Sequence, residues 1–279
     1  MWTRAFQVLK TRIQLAADQD PALVRTLEAL TDTYGPAREG QQLAYTIRAG
    51  RWPQLQRDGR VLCVVDDPVD LPAVFEHDLY LQVIHRCRDG LALHAAAVAV
   101  DGEVVLLLGG SGAGKSTVSL ELVQRGARYL TDEHAVVYAD GTVQGVTRPI
   151  TLDTARRPAN LPQAFVTTLS AYRGEGGDCG SLLVQPPPAQ LCHHARPLKT
   201  VVFLLPPQTA SVARRLSTGE ALCRLWACVL RPHRGALGWA IRLLSRHPVH
   251  AVGGDVDQVC HSIGRLSEAV CGHPASRVR

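Results

Sequence analysis

Lysine is nearly absent from this chain: Lys10, Lys115 and Lys199 stand against 27 arginines. Those arginines are scattered, with no block of five or six like charges. The net charge of +5 therefore does not read as a nucleic-acid-binding arm. No apolar run reaches the ~18 residues that a membrane span requires, so no membrane partner is expected. The first ten residues lack an apolar stretch ahead of a small-residue cleavage site, and a cytoplasmic location is expected. None of the eight cysteines forms a Cys-x-x-Cys pair. Cys192-His193-His194 is the one Cys/His cluster, and adjacent ligands are poorly spaced for a tetrahedral metal. Reduced thiols packed as small hydrophobes are expected instead. No internal repeat is visible. What is present is ample core material: 46% of residues are hydrophobic and 20% charged, which excludes disordered, collagenous and coiled-coil classes.

Along the chain, Trp2, Phe6, Leu9 and Ile13 fall at i, i+4, i+7 and i+11. That spacing predicts an N-terminal amphipathic helix packed on the body of the protein. Asp20-Pro21 opens a second helix over 22–31. Strands are expected at 43–47 and 61–65, separated by Gly50, Pro53 and an Asp58-Gly59 turn, and a helix at 75–87. The pattern sharpens from residue 91. A strand over 91–100 is followed by Asp101-Gly102, a pair suited to a two-residue hairpin turn, and then by a strand over 103–108. After a glycine-rich loop, a helix runs over 118–124 to Gly126. Strands are expected at 128–130, 135–139 and 142–146, the last two joined by Asp140-Gly141. Beyond residue 150 the pattern weakens through a glycine-rich stretch at 174–180 and a proline run at 186–188. It resumes with a strand at 201–205. Ser217 and Glu220 have capping-box spacing ahead of a helix over 221–230, and a strand at 248–252 precedes a helix over 255–270.

The loop reads Gly109-Gly110-Ser111-Gly112-Ala113-Gly114-Lys115-Ser116-Thr117. It contains the complete Gly-x4-Gly-Lys-Ser/Thr pattern between a strand and a helix, the context that a phosphate-binding P-loop needs. Its glycines allow consecutive N–H groups to turn toward phosphate oxygens, and the helix start adds unpaired amides and the positive end of its dipole. Lys115 supplies a mobile charge for the outer phosphates, and Ser116 offers a hydroxyl to Mg²⁺. The strand before this loop is joined to its predecessor by only two residues, so those neighbours must be antiparallel. A mixed, largely antiparallel sheet around the P-loop follows from spacing alone.

Leu93-His94-Ala95, the P-loop, Arg125-Gly126-Ala127 and Leu130-Thr131-Asp132-Glu133 together resemble the core of the HPr kinase/phosphorylase catalytic domain. The likeness covers about residues 91–150, with a weaker echo at Arg196-Pro197-Leu198-Lys199. It implies a nucleotide-binding fold shared with phosphoenolpyruvate carboxykinase, with ATP and Mg²⁺ as cofactors. Asp132 takes the first acidic position, where it accepts the proton of an attacking hydroxyl or helps to hold the metal. Glu133 stands where the family usually has its second Asp, and His94 orients or tunes Asp132 and the γ-phosphate. The implied catalytic set is Lys115, Asp132 and His94, and the implied metal ligands are Ser116, Asp132 and Glu133. The family's second, acidic and glycine-rich signature is not found between residues 150 and 200, and the first 90 residues do not resemble its usual N-terminal domain. The general layout is more similar to shortened HPr-kinase-related proteins of peptide natural-product pathways, including lasso-peptide kinases that phosphorylate a serine hydroxyl.

The expected organisation is an α/β protein. A small α+β region over 1–88 is a candidate for substrate or partner docking, and a kinase-like domain spans 89–279. The expected activity is transfer of the γ-phosphoryl group of ATP to a hydroxyl, serine of a peptide or protein above all, with homo-oligomerisation left open. A nucleotide-dependent switch or scaffold without kinase activity, and a small-molecule kinase, remain as alternatives. Arg148 reads either as a phosphate contact or as a surface arginine. Arg173 and Asp178 lie in or beside the 174–180 loop, where a substrate clamp would sit.

Overall fold

The structure, a computed structural model, describes residues 1–152, 165–168, 182–206 and 209–270; the 174–180 loop, Arg173 and Asp178 lie outside them. Two compact units are present. One comprises residues 1–88 with 146–193, the other 89–145 with 194–279. The second unit is thus assembled from two separate segments of the stretch read above as one continuous domain. Among the described residues, no helix is long and apolar enough to cross a membrane.

The chain opens on a hairpin, β1 (Trp2–Val8) and β2 (Thr11–Ala17), where a helix was expected. The physical reason is period. Phe6 and Val8, then Ile13, Leu15 and Ala17, are buried at alternate positions, which is the repeat of a strand. The step of four from Trp2 to Phe6 satisfies either period, and Leu9, counted in the helical stripe, sits in the turn with φ of 52°. Helix α1 (Pro21–Thr31) follows, capped by Asp20, whose carboxylate accepts from the amides of Ala22 and Leu23. Next come β3 (Gly35–Pro36), β4 (Gln41–Arg48), β5 (Gln54–Arg57), β6 (Arg60–Val64) and α2 (Leu71–Arg86). The sheet order is β3-β1-β2-β4-β5-β6; β2 and β4 are parallel across the α1 crossover and every other pair is antiparallel. Ile13, Leu15, Leu43, Tyr45, Ile47 and Leu55 form its buried face, and Phe75 of α2 meets the Tyr45 ring edge-on at 5.1 Å.

The second unit starts with β7 (Gly90–His94), β8 (Ala96–Val100) and β9 (Glu103–Leu108), then α3 (Lys115–Gln124), β10 (Arg128–Thr131), β11 (His134–Tyr138) and β12 (Thr142–Gly145). The stretch 91–100, read as one strand, is broken at Ala95: β7 pairs with β11, whereas β8 lies between β10 and β9. Asp101 and Gly102 both have positive φ, 52° and 84°, the conformation of a two-residue turn that matches strand twist. The chain then re-enters the first unit as a three-stranded antiparallel sheet of β13 (Ile150–Leu152), β14 (Val166–Thr168) and β15 (Leu182–Val184), ordered β13-β15-β14.

It returns to the second unit with β16 (Arg196–Leu204), β17 (Val212–Arg215), α4 (Thr218–Trp226), α5 (Ala236–Arg246), β18 (Val249–Gly253) and α6 (Val256–Val270). Ser217 caps α4 by accepting from the Glu220 amide, while the Glu220 carboxylate is taken by Arg214 and Arg224. The nine-stranded sheet runs β10-β8-β9-β16-β12-β11-β7, with β18 on β16 and β17 on β18. β16 is parallel to β9 and to β18, and the remaining pairs are antiparallel. The protein is α/β with mixed sheets, as the two-residue connection required. Loops that follow parallel strands gather at their carboxyl ends, and the loop after β9 is the one that carries the motif.

Candidate functional site

β9 delivers five fully buried residues, Val104 to Leu108, and then releases the chain into the 109–114 loop. Gly109 lies so close to the end of β16 that a Cβ there would stand 2.9 Å from Ala113 Cβ and 3.1 Å from the Leu204 carbonyl oxygen. Gly114 holds the helix entry in the left-handed region, φ 91°, where a side chain is strained. Lys115 is the first residue of α3. Its ammonium donates to the carbonyls of Gly109 (3.0 Å) and Gly110 (3.3 Å), folding the side chain back over the loop. Burial pushes this ammonium below its ordinary pKa, and Cys228, Asp132 and Glu133 pull it back. Gly110, Ser111 and Gly112 are exposed, while Ala113, Gly114, Ser116 and Thr117 are half-buried. The loop crest is therefore open to a ligand above a buried cation.

Asp132 follows β10, and its position is enforced from several sides. β10 carries a bulge between Tyr129 and Thr131. The bulged backbone comes so close to β12 that a Cβ on Gly145 would lie 2.5 Å from the Leu130 carbonyl oxygen. The buried Thr131 hydroxyl accepts from the amides of Glu133 and His134, both at 3.2 Å, and shapes the turn between the strands. The Asp132 carboxylate then receives two hydroxyl donors: Ser116 on Oδ2 at 3.0 Å and Tyr129 on Oδ1 at 3.1 Å. The serine of the motif and the first acidic residue, 16 positions apart, are in direct contact.

His94 ends β7 directly opposite His134 of β11, their rings edge-on at 6.5 Å. Burial, and then the charge of Lys115, push the His94 imidazole below its ordinary pKa, against Glu133 and Asp132. Its surroundings thus favour the uncharged imidazole. The Glu133 carboxylate lies 4.0 Å from His134 Nδ1. Two backbone bonds lock the group together: Ala95 N to Glu133 O at 2.8 Å, and His94 N to Cys228 O at 2.7 Å.

His94, Lys115, Ser116, Asp132 and Glu133, all named from the sequence, therefore share one site within the second unit. Arg148 falls in the first unit, its guanidinium 5.0 Å over the Tyr80 ring. Two contributors escaped the sequence reading. Tyr129 reads as an ordinary strand aromatic. Cys228 sits in no motif, yet its thiol is held between the Arg224 carbonyl (3.6 Å) and the Gly109 backbone, and burial raises its pKa.

The donors suit phosphate and a hard cation. An ammonium, exposed loop amides at a helix start, a hydroxyl and adjacent carboxylate oxygens are what a Mg²⁺-bound polyphosphate requires. Among the described residues, no group of three or more His, Cys, Asp and Glu side chains is arranged to hold a metal alone.

No protein-family model matches the chain. Part of it is similar to HPr kinase/phosphorylases. It is 42% identical over 57 residues to that of Limosilactobacillus reuteri strain DSM 20016, covering 20% of this chain and 18% of the relative. It is 43% identical over 61 residues to that of Lacticaseibacillus casei strain BL23, covering 21% and 19%. The same identity and length hold for that of Clostridium botulinum strain Eklund 17B, covering 22% and 20%. The matched region thus spans about a fifth of the length of these relatives. Among solved structures, the Hpr(Ser) kinase/phosphatase from Coxiella burnetii is found at 12% identity, covering 64% of this chain and 94% of that one, with a TM-score of 0.32. The likeness to HPr kinase/phosphorylases read from the sequence is borne out over that partial region.

Proposed function

We propose that the protein is an ATP- and Mg²⁺-dependent phosphotransferase that delivers the γ-phosphoryl group to a hydroxyl, namely a serine of a peptide or protein. The observation that carries this reading is the Ser116–Asp132 contact at 3.0 Å beside a buried Lys115. It joins the two residues that a P-loop enzyme uses around its metal, and it does so at the foot of an open, glycine-rich loop.

Phosphoryl transfer is mostly positioning and neutralisation of charge. The amides of residues 109–117 and the Lys115 ammonium hold the phosphate chain, the lysine exchanging its two loop carbonyls for phosphate oxygens. Ser116, Asp132 and Glu133 would supply oxygen donors to Mg²⁺, whose charge would offset that of the phosphates. Asp132 takes the proton of the acceptor hydroxyl, and Tyr129 keeps its carboxylate aimed while it does so. Neutral His94, next to Lys115 in the site's field, orients the acidic pair without adding positive charge.

The test is incubation of the chain with γ-labelled ATP, Mg²⁺ and serine-containing candidate peptides. Label in a peptide, lost when serine is replaced by alanine, is the expected result. Hydrolysis alone, with no label in any hydroxyl acceptor, contradicts the proposal.

A further inference from the structure

Residues 221–254 contain no Asp or Glu, and they carry Arg224, Arg231, Arg234, Arg242 and Arg246. This run folds as most of α4, the following linker, α5 and β18. Arg224 is paired with Glu220. Arg234, Arg242 and Arg246 are exposed, and no carboxylate pairs with them among the described residues. Arg242 lies 5.9 Å over the Trp239 ring. Large apolar side chains are exposed on the same elements: Trp226 at 40%, Leu230 at 39%, Leu237 at 51% and Ile241 at 44%. On α5 the two kinds are neighbours. Ala236, Ala240, Leu243 and Leu244 face inward, which leaves Leu237 and Ile241, one turn apart, beside Arg242 on the outer face. Helix α4 packs against α5, so the patch continues from one to the other.

This surface is tied to the transfer site. The linker between the helices is hydrogen-bonded along β7, Cys228 O accepting from His94 N (2.7 Å) and Leu230 N donating to Ala92 O (3.0 Å). Cys228 also touches the loop at Gly109. The linker thus joins α4 and α5 to the strand that ends in His94 and to the start of the loop.

We propose that the outer face of α4, the linker and α5 is the docking surface for the acceptor polypeptide, and that it selects a segment in which acidic and large apolar side chains alternate. This rests on the phosphotransferase reading for its purpose, but not for its chemistry. Arginines that no described carboxylate pairs with complement acidic side chains, and exposed Trp, Leu and Ile side chains recover burial only against apolar side chains. Continuity with β7 favours a polypeptide carrying the reacting hydroxyl over an anionic lipid surface, the other material that basic and apolar helices bind.

The experiment reads binding, not transfer, so the two proposals fail separately. An array of immobilised 12-residue peptides with graded acidic, basic and apolar content is probed with the full chain in the absence of nucleotide. Peptides combining Glu or Asp with Leu or Phe should be retained and their lysine-substituted counterparts rejected. Combined Arg234→Ser, Arg242→Ser and Arg246→Ser substitution should weaken retention by about tenfold, as should Leu237→Ser with Ile241→Ser. Both variants should bind ATP like the parent, which shows that they fold. Retention indifferent to peptide charge, or unchanged in the arginine variant, overturns the proposal. Tighter association with phosphatidylglycerol vesicles than with any peptide overturns it too.

Discussion

Asp132 accepts hydrogen bonds from Ser116 and Tyr129, and these two donors do different things. On the proposed reading Ser116 would exchange its bond for a metal, whereas the fully buried Tyr129 donates to Asp132 Oδ1 at 3.1 Å and so holds the carboxylate in place. Tyr129→Phe keeps the ring and removes that donor. Stability should change by about 1 kcal/mol, and turnover should fall about tenfold with the KM for ATP unchanged. Steady-state kinetics and a denaturant titration check this; a raised KM with turnover intact would assign Tyr129 to nucleotide binding instead. At this scale the sequence was most informative where chemistry is local. The loop glycines, Lys115 and Ser116 announce themselves by spacing, and Asp132 by its place after the next strand. Tyr129 and Cys228 were illegible because their contacts depend on a β-bulge and on a linker more than 100 residues away, neither of which leaves a local pattern.

Elements were legible where backbone geometry constrains residue type. Asp101-Gly102 and Asp58-Gly59 occupy positive φ, which few other pairs tolerate, and both were read correctly as turns. The N-terminal hairpin was not, because a four-residue step between aromatics fits a helix and a strand alike and Leu9 adopts a turn conformation that leucine rarely takes. β5 escaped because Leu55 is its one apolar residue. The break at Ala95 escaped because β7 and β8 are apolar on both faces, so no change of period marks it. Gly145 shows what such a junction demands. A Cβ there would meet the Leu130 carbonyl and Thr131 Cβ at 2.5 and 2.8 Å, so Gly145→Ala must displace the bulge that presents Asp132. A loss of about 2 kcal/mol in stability and a drop in turnover are expected, measured by thermal unfolding and by labelled-ATP assay. An unchanged melting temperature would show that the bulge does not constrain the site.

For the whole molecule, the two-residue hairpin before the loop was enough to exclude an all-parallel sheet, and the mixed sheet follows. The assembly of the second unit from 89–145 and 194–279 could not be read, since the β9–β16 pairing at its centre joins strands about 90 residues apart. In that unit burial pushes the imidazoles of His94, His247 and His250 below their ordinary value of 6.5. Their folded forms resist protonation, so below about pH 6.5 the unfolded chain binds more protons. Their contribution to stability is present above that pH and is lost as the pH falls. The melting temperature should decline between pH 7 and 5, and His247→Gln should flatten the decline; a flat parent profile would contradict this. The most direct test of the whole account is a side-by-side measurement of ATP·Mg²⁺ affinity and γ-phosphate turnover in Asp132→Asn. The account predicts affinity within about threefold of the parent and turnover reduced by about 10²–10⁴. Turnover equal to the parent's, with Asp132 neutralised, would contradict it.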